Sequence, residues 1–147
     1  MSPVRCNDVP EDGVMKENMR ESKFGTLLFA DDDPFLRGIV RDILVMSGYT
    51  VVEAVNGEDA IGKFVKHKDR ITLLILDVNM PGKNGREAFE EIRKMKPCIK
   101  ALFISGYARD IVLDKWAHKE TVDYLSKPFM PDELLWKIRE VLDKRVM

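Results

Sequence analysis

Four short, densely apolar runs recur along this chain: Thr26-Leu27-Leu28-Phe29-Ala30, Leu73-Leu74-Ile75-Leu76, Ala101-Leu102-Phe103-Ile104 and Val122-Asp123-Tyr124-Leu125. Runs of this length and apolar content read as strands buried on both faces, which is the signature of a parallel sheet. Tyr49-Thr50-Val51-Val52-Glu53-Ala54 adds a fifth strand with less apolar content, suited to a place nearer an edge. The stretches between have helical spacing. Phe35, Leu36, Ile39, Val40, Ile43 and Leu44 share one face of a helix, and Leu134, Leu135, Ile138, Val141 and Leu142 share one face of the last. Asp33-Pro34 supplies an N-cap and a proline at the first helical position, Gly48 follows the first helix, and Pro131-Asp132-Glu133 opens the last. Ala108 to Lys119 reads as a further helix. Strand and helix in alternation mean right-handed βαβ units and a doubly wound α/β sheet covered on both faces.

Residues 1–23 carry Pro, Gly, Asn and mixed charges without periodicity, as a flexible leader or linker does, so the folded domain is expected over 24–147. A chain of 147 residues suits one domain. Lys+Arg 24 against Asp+Glu 25 leaves a net charge of -1, which argues against nucleic acid as a partner. Cys6 and Cys98 match no metal spacing and suggest no disulfide framework. No apolar run reaches the roughly 20 residues that span a bilayer, and the first residues lack a secretion signal. The expected location is the cytoplasm, with no membrane contact.

In an open parallel sheet, ligands bind beyond the carboxyl ends of the strands. Those ends are polar here. The first strand runs into Asp31-Asp32-Asp33, the third into Asp77, the fourth into Ser105-Gly106 and the fifth into Ser126-Lys127-Pro128. Crowded carboxylates raise each other's pKa unless a cation neutralises them. Mg²⁺ is the natural candidate, because it takes hard oxygen ligands and commonly binds one or two carboxylates together with phosphate. An ionised Asp can attack phosphorus, while a Lys and a Ser hydroxyl hold the remaining phosphoryl oxygens.

Leu-Phe-Ala-Asp-Asp-Asp-Pro, Asp77-Val-Asn-Met-Pro-Gly-Lys-Asn-Gly85, Ser105-Gly-Tyr and Asp-Tyr124-Leu-Ser-Lys127-Pro-Phe129 together resemble the receiver domains of two-component response regulators, from about Phe24 to Lys144. The resemblance implies a flavodoxin-like strand order 2-1-3-4-5. It makes Asp77 the phosphoacceptor, with Asp31, Asp32, Asp77 and the Asn79 backbone carbonyl as the Mg²⁺ ligands. Ser105 and Lys127 contact the phosphoryl group, Ser105 and Tyr124 form the switch, and the Lys127–Pro128 bond is cis. The partners it implies are a sensor histidine kinase or a histidine phosphotransfer domain upstream and a protein target downstream, with room for a phosphorylation-linked dimer. The target is met through a face built from the Ala108–Lys119 helix, the fifth strand and the last helix. The Phe-Ile-Ser-Gly-Tyr stretch and the long Ala108–Val122 connection resemble the C-terminal receivers of hybrid histidine kinases. No turnover of an external substrate, beyond the phosphodonor, is implied.

Plainer readings stand beside these. Asp33 reads as a helix cap rather than a ligand, Gly82 and Gly85 as shapers of the loop after Asp77, His67 and His118 as solvated residues, and Trp116 and Trp136 as packing residues. Two other functions fit parts of the pattern. A phosphohydrolase of the haloacid dehalogenase type also uses an aspartyl phosphate in an Asp-x-Asp motif, which Asp31-Asp32-Asp33 imitates, although Pro34-Phe35 follow and no late acidic pair exists. The other is a receiver-like binding module that is never phosphorylated.

Overall fold

The computed structural model describes residues 24–106 and 122–144. The expected leader 1–23, the expected helix Ala108–Lys119, Trp116 and His118 lie outside the described residues. Within them the elements are β1 (Thr26–Ala30), α1 (Pro34–Met46), β2 (Thr50–Ala54), α2 (Gly57–His67), β3 (Ile71–Asp77), α3 (Gly85–Met95), β4 (Lys100–Ser105), β5 (Val122–Ser126) and α4 (Pro131–Asp143). The five strands form one parallel sheet in the order β2-β1-β3-β4-β5. That is the expected flavodoxin-like order, with the less apolar β2 at an edge.

Each strand feeds two cores, because alternate side chains face opposite ways. Leu28, Leu74, Leu76, Ala101 and Phe103 pack with Phe64 of α2 and Phe89 and Ile92 of α3. Leu27, Phe29, Leu73, Ile75, Leu102 and Ile104 pack with Val40 and Leu44 of α1 and Leu134 and Ile138 of α4. Helices therefore cover both faces. Burying all of Leu27–Ala30 and Leu73–Leu76 explains why these strands read as unbroken apolar runs.

Helix ends fall where the capping chemistry puts them. The Asp33 side chain accepts hydrogen bonds from the Phe35 and Leu36 N–H groups at 3.0 and 3.4 Å, with Pro34 at the first helical position. Asn84 caps α3 by accepting from the Glu87 N–H at 2.9 Å, and Glu87 accepts from the Asn84 N–H in return. Two expectations need correction. Trp136 is 65% exposed rather than packed, because the apolar face of α4 is filled by Leu134, Ile138 and Val141. Cys98 is disulfide-bonded, where the sequence suggested no disulfide.

Candidate functional site

The register of the central strands brings the acidic residues together. Ala30 pairs with Leu76 and Asp77 with Ile104, so the residue after β1 and the last residue of β3 stand side by side at the carboxyl end of the sheet. Asp31 is wholly buried, Asp77 is 5% exposed and Asp32 is open to solvent. One carboxylate oxygen from each lies within 4.8 Å of the others. Lys127, just beyond β5, reaches across with its Nζ 3.2 Å from Asp77 Oδ2 and 3.4 Å from Asp31 Oδ2. The Lys127–Pro128 bond is cis, as the resemblance implied.

Backbone donors hold these carboxylates in place. The Asp33 N–H donates to Asp31 Oδ1 at 2.9 Å, and the Asn79 N–H donates to Asp77 Oδ1 at 3.1 Å. Asn79 itself is exposed in the loop between β3 and α3. That loop turns through Gly82 at φ 73, and it meets α3 at Gly85, where a Cβ would lie 2.4 Å from the Asp77 carbonyl oxygen. Glycine is required there by the close approach of backbone. Gly57, at the start of α2, is pressed against the same loop, since its Cβ would lie 2.3 Å from the Lys83 carbonyl oxygen.

Charge at the site is unbalanced. Burial, and then the Asp31 carboxylate, push Asp77 above the usual carboxylate range, against the opposing pull of Lys127. Burial likewise disfavours the Lys127 ammonium, yet Asp77 and Asp31 together outweigh it and hold that pKa above an ordinary lysine's. Three carboxylates face one ammonium, which leaves the pocket net negative. A hard divalent cation suits this donor set of oxygens alone.

Ser105 ends β4, wholly buried, and its carbonyl accepts the Lys127 N–H at 2.7 Å. Tyr124 is half-buried in β5, stacked on Phe103 with ring centroids 5.7 Å apart. The structure thus gathers Asp31, Asp32, Asp77 and Lys127 in one pocket, with Asn79 and Ser105 on its rim strands and loops and Tyr124 one strand away. Asp33 is engaged as the α1 cap, which removes the second acid from an Asp-x-Asp pair and disfavours the phosphohydrolase reading. One neighbour escaped the sequence reading. Arg37 Nη1 donates to the Asp31 carbonyl at 2.7 Å. The available signal was its place one turn into α1, since helical side chains lean toward the N-terminus and so toward the Asp31 loop.

The sequence matches the family model of the response regulator receiver domain over residues 27–139. The chain belongs to that family. It is 32% identical over 96% of its length to the sensor kinase CckA of Brucella abortus (strain 2308), spanning 15% of that protein. It is 31% identical over 78% of its length to the chemotaxis protein CheY of Thermotoga maritima, spanning 95% of it. Among solved structures it superposes on the response regulator TrrA of Thermotoga maritima in complex with Mg(2+)-BeF, with TM-score 0.70 and 34% identity, covering 80% of this chain and 99% of that one. This receiver domain is therefore a phosphoacceptor signalling module of a two-component system. Among the described residues, no helix is long and apolar enough to cross a membrane.

Proposed function

We propose that Asp77 is the phosphoacceptor of this receiver domain, with Asp31, Asp32, Asp77 and the Asn79 carbonyl holding Mg²⁺ and Lys127 and Ser105 engaging the phosphoryl group. The observation that carries the reading is the Asp77 carboxylate, buried at the sheet end, in reach of both the Asp31–Asp32 pair and the Lys127 ammonium. An Asp77 oxygen forms a bond to phosphorus as the bond from phosphorus to the donor breaks. The electron pair of that bond leaves with the donor, either the imidazole nitrogen of a phosphohistidine or the carboxylate of an acyl phosphate. Bound Mg²⁺ supplies charge neutralisation for the phosphoryl oxygens. Lys127 holds one phosphoryl oxygen, and the backbone donors at Asp33 and Asn79 keep the acids oriented without reorganisation.

The donor protein is a sensor histidine kinase or histidine phosphotransfer domain, and the output is a protein contact made through β5, α4 and the segment between β4 and β5. Residues 1–23 form a leader or linker to a domain over 24–147, as in the receiver of a hybrid kinase, working in the cytoplasm without turning over any substrate beyond the phosphodonor. Incubation with Mg²⁺ and acetyl phosphate is expected to add one acid-stable, base-labile phosphoryl group, read by intact mass, and Asp77→Asn is expected to abolish it. Equal labelling of the Asn variant would falsify the assignment.

A further inference from the structure

The proposed ligands differ in how firmly they are held. Asp77 ends a buried strand and Asp31 is enclosed, but Asp32 lies in an exposed turn where its own side chain has little to fix it. What orients Asp32 is the peptide that precedes it. The Asp31 carbonyl and the Asp32 N and Cα lie in one plane, so fixing the carbonyl oxygen fixes the position of the Cα from which the Asp32 side chain branches.

That oxygen is gripped by Arg37 at 2.7 Å, a charge-assisted bond from a side chain only 16% exposed. Arg37 is in turn held from β2, its Nε 3.4 Å from Glu53 Oε1. Glu53 is tied as well, by Arg41 Nη1 at 3.2 Å on its carboxylate and by Lys63 Nζ at 2.8 Å on its carbonyl. On the other side, the Asp31 N–H donates to the Ala54 carbonyl at 3.1 Å. Both peptide groups of Asp31 are therefore anchored to α1 and β2, elements that contribute no ligand.

From this geometry we infer that Arg37 is a positioning residue for the metal site, setting the Asp31–Asp32 peptide so that Asp32 presents its carboxylate to Mg²⁺. The inference rests on the metal reading above. Two effects of removing Arg37 oppose each other. Loss of a nearby positive charge would tighten cation binding, and loss of the grip on the peptide would weaken it. Removing Arg37 also uncovers the Glu53 carboxylate that it pairs with at 3.4 Å, so charge alone would tighten binding and a net weakening reports the positional effect.

The test is Mg²⁺ affinity of the full chain, measured by calorimetric titration and by amide-shift titration, in Arg37→Met, Arg37→Lys and Glu53→Gln. Arg37→Met is expected to weaken Mg²⁺ binding by three- to tenfold and to slow acetyl phosphate labelling at low Mg²⁺, with labelling recovered at saturating Mg²⁺. Arg37→Lys should recover part of the affinity, because an ammonium can donate to the carbonyl but cannot span to Glu53 as a fork does. Glu53→Gln, which keeps the carbonyl bond, should fall between Arg37→Met and the parent and serves if Arg37→Met does not fold. Unchanged or tighter binding in folded Arg37→Met, or parent-like binding in Glu53→Gln where only that variant folds, would overturn the inference. Absence of Mg²⁺ binding in the parent chain would instead overturn the metal reading on which it stands.

Discussion

Asp77 occupies a position where its own charge is costly. It is 5% exposed beside the buried Asp31, with Lys127 at 3.2 Å as partial compensation. Burial and then Asp31 raise its pKa, so the native state binds this proton more tightly than the unfolded chain. For an acid with a raised native pKa, the stability penalty is absent below the unfolded value near ~3.9, grows as the pH climbs through the native value, and is full above it. Asp77→Asn is therefore expected to raise the melting temperature of the metal-free protein at pH 7, with the gain shrinking as the pH falls toward 4. Lys127 keeps Asp31 at 3.4 Å in that variant, so no cation is stranded. Mg²⁺ should invert the order, because the parent alone retains all three carboxylates; a ligand at one hundred times its Kd adds about 2.7 kcal/mol. Thermal melts across pH, with and without Mg²⁺, check both halves. A parent protein more stable than Asp77→Asn without metal would show that Lys127 outweighs the repulsion.

Secondary-structure elements place the acids by their ends, and neighbouring residues at those ends have separate duties. Asp33 caps α1 and Asp32 points into the cluster, so Asp33→Ala should cost about 1 kcal/mol of stability with Mg²⁺ affinity retained. Asp32→Ala should do the reverse, and paired melts and Mg²⁺ titrations separate the two. At the start of α3, Gly85 lies directly under Asp77, where an added Cβ would stand 2.4 Å from the carbonyl oxygen. Gly85→Ala should destabilise by about 1–3 kcal/mol through overpacking and also slow phosphoryl labelling at Asp77. Unaltered labelling would mean that the helix start can shift without moving the acid. Much of this was legible in the sequence. Buried strands announced themselves as apolar runs, the cap at Asp33 and the proline at position 131 marked helix starts, and Asp31, Asp32, Asp77 and Lys127 stood at strand ends. What strand patterns could not show was lateral contact: Arg37 and Glu53 lie far from each other in sequence and meet only once β2 lies beside β1. Trp136 was misread because its exposure depends on which face α4 turns to the sheet, and Leu134, Ile138 and Val141 take that face.

At the scale of the whole molecule, β4, β5 and α4 pack as one unit that begins at the pocket. Phe103 pairs with Tyr124 and Ser105 with Ser126 across the two strands, while Leu102, Ile104 and Leu125 share a core with Leu134, Ile138 and Val141 of α4. The Lys100 ammonium ties the start of β4 to the end of α4 by donating to the Leu142 carbonyl at 2.7 Å. A packed unit of this kind moves between discrete arrangements rather than deforming by degrees. Phosphorylation at Asp77 would give the Ser105 hydroxyl a charged acceptor, and a charge-assisted hydrogen bond contributes about 1.5–3 kcal/mol. If that bond forms in one arrangement only, it shifts the equilibrium about tenfold or more, enough to redirect Tyr124 from its stack on Phe103. Ser105→Ala is expected to retain labelling at Asp77 while losing the response beyond it, and Tyr124→Ala to lose the response with the phosphosite intact. Amide shifts of β5 and α4, recorded with and without a beryllofluoride phosphoryl mimic, read the two steps separately. Parent-like shifts along β5 and α4 in the beryllofluoride complex of Ser105→Ala would show that the hydroxyl is not the trigger, and the signal would have to leave the pocket through Lys127 and its 2.7 Å backbone tie to Ser105 instead.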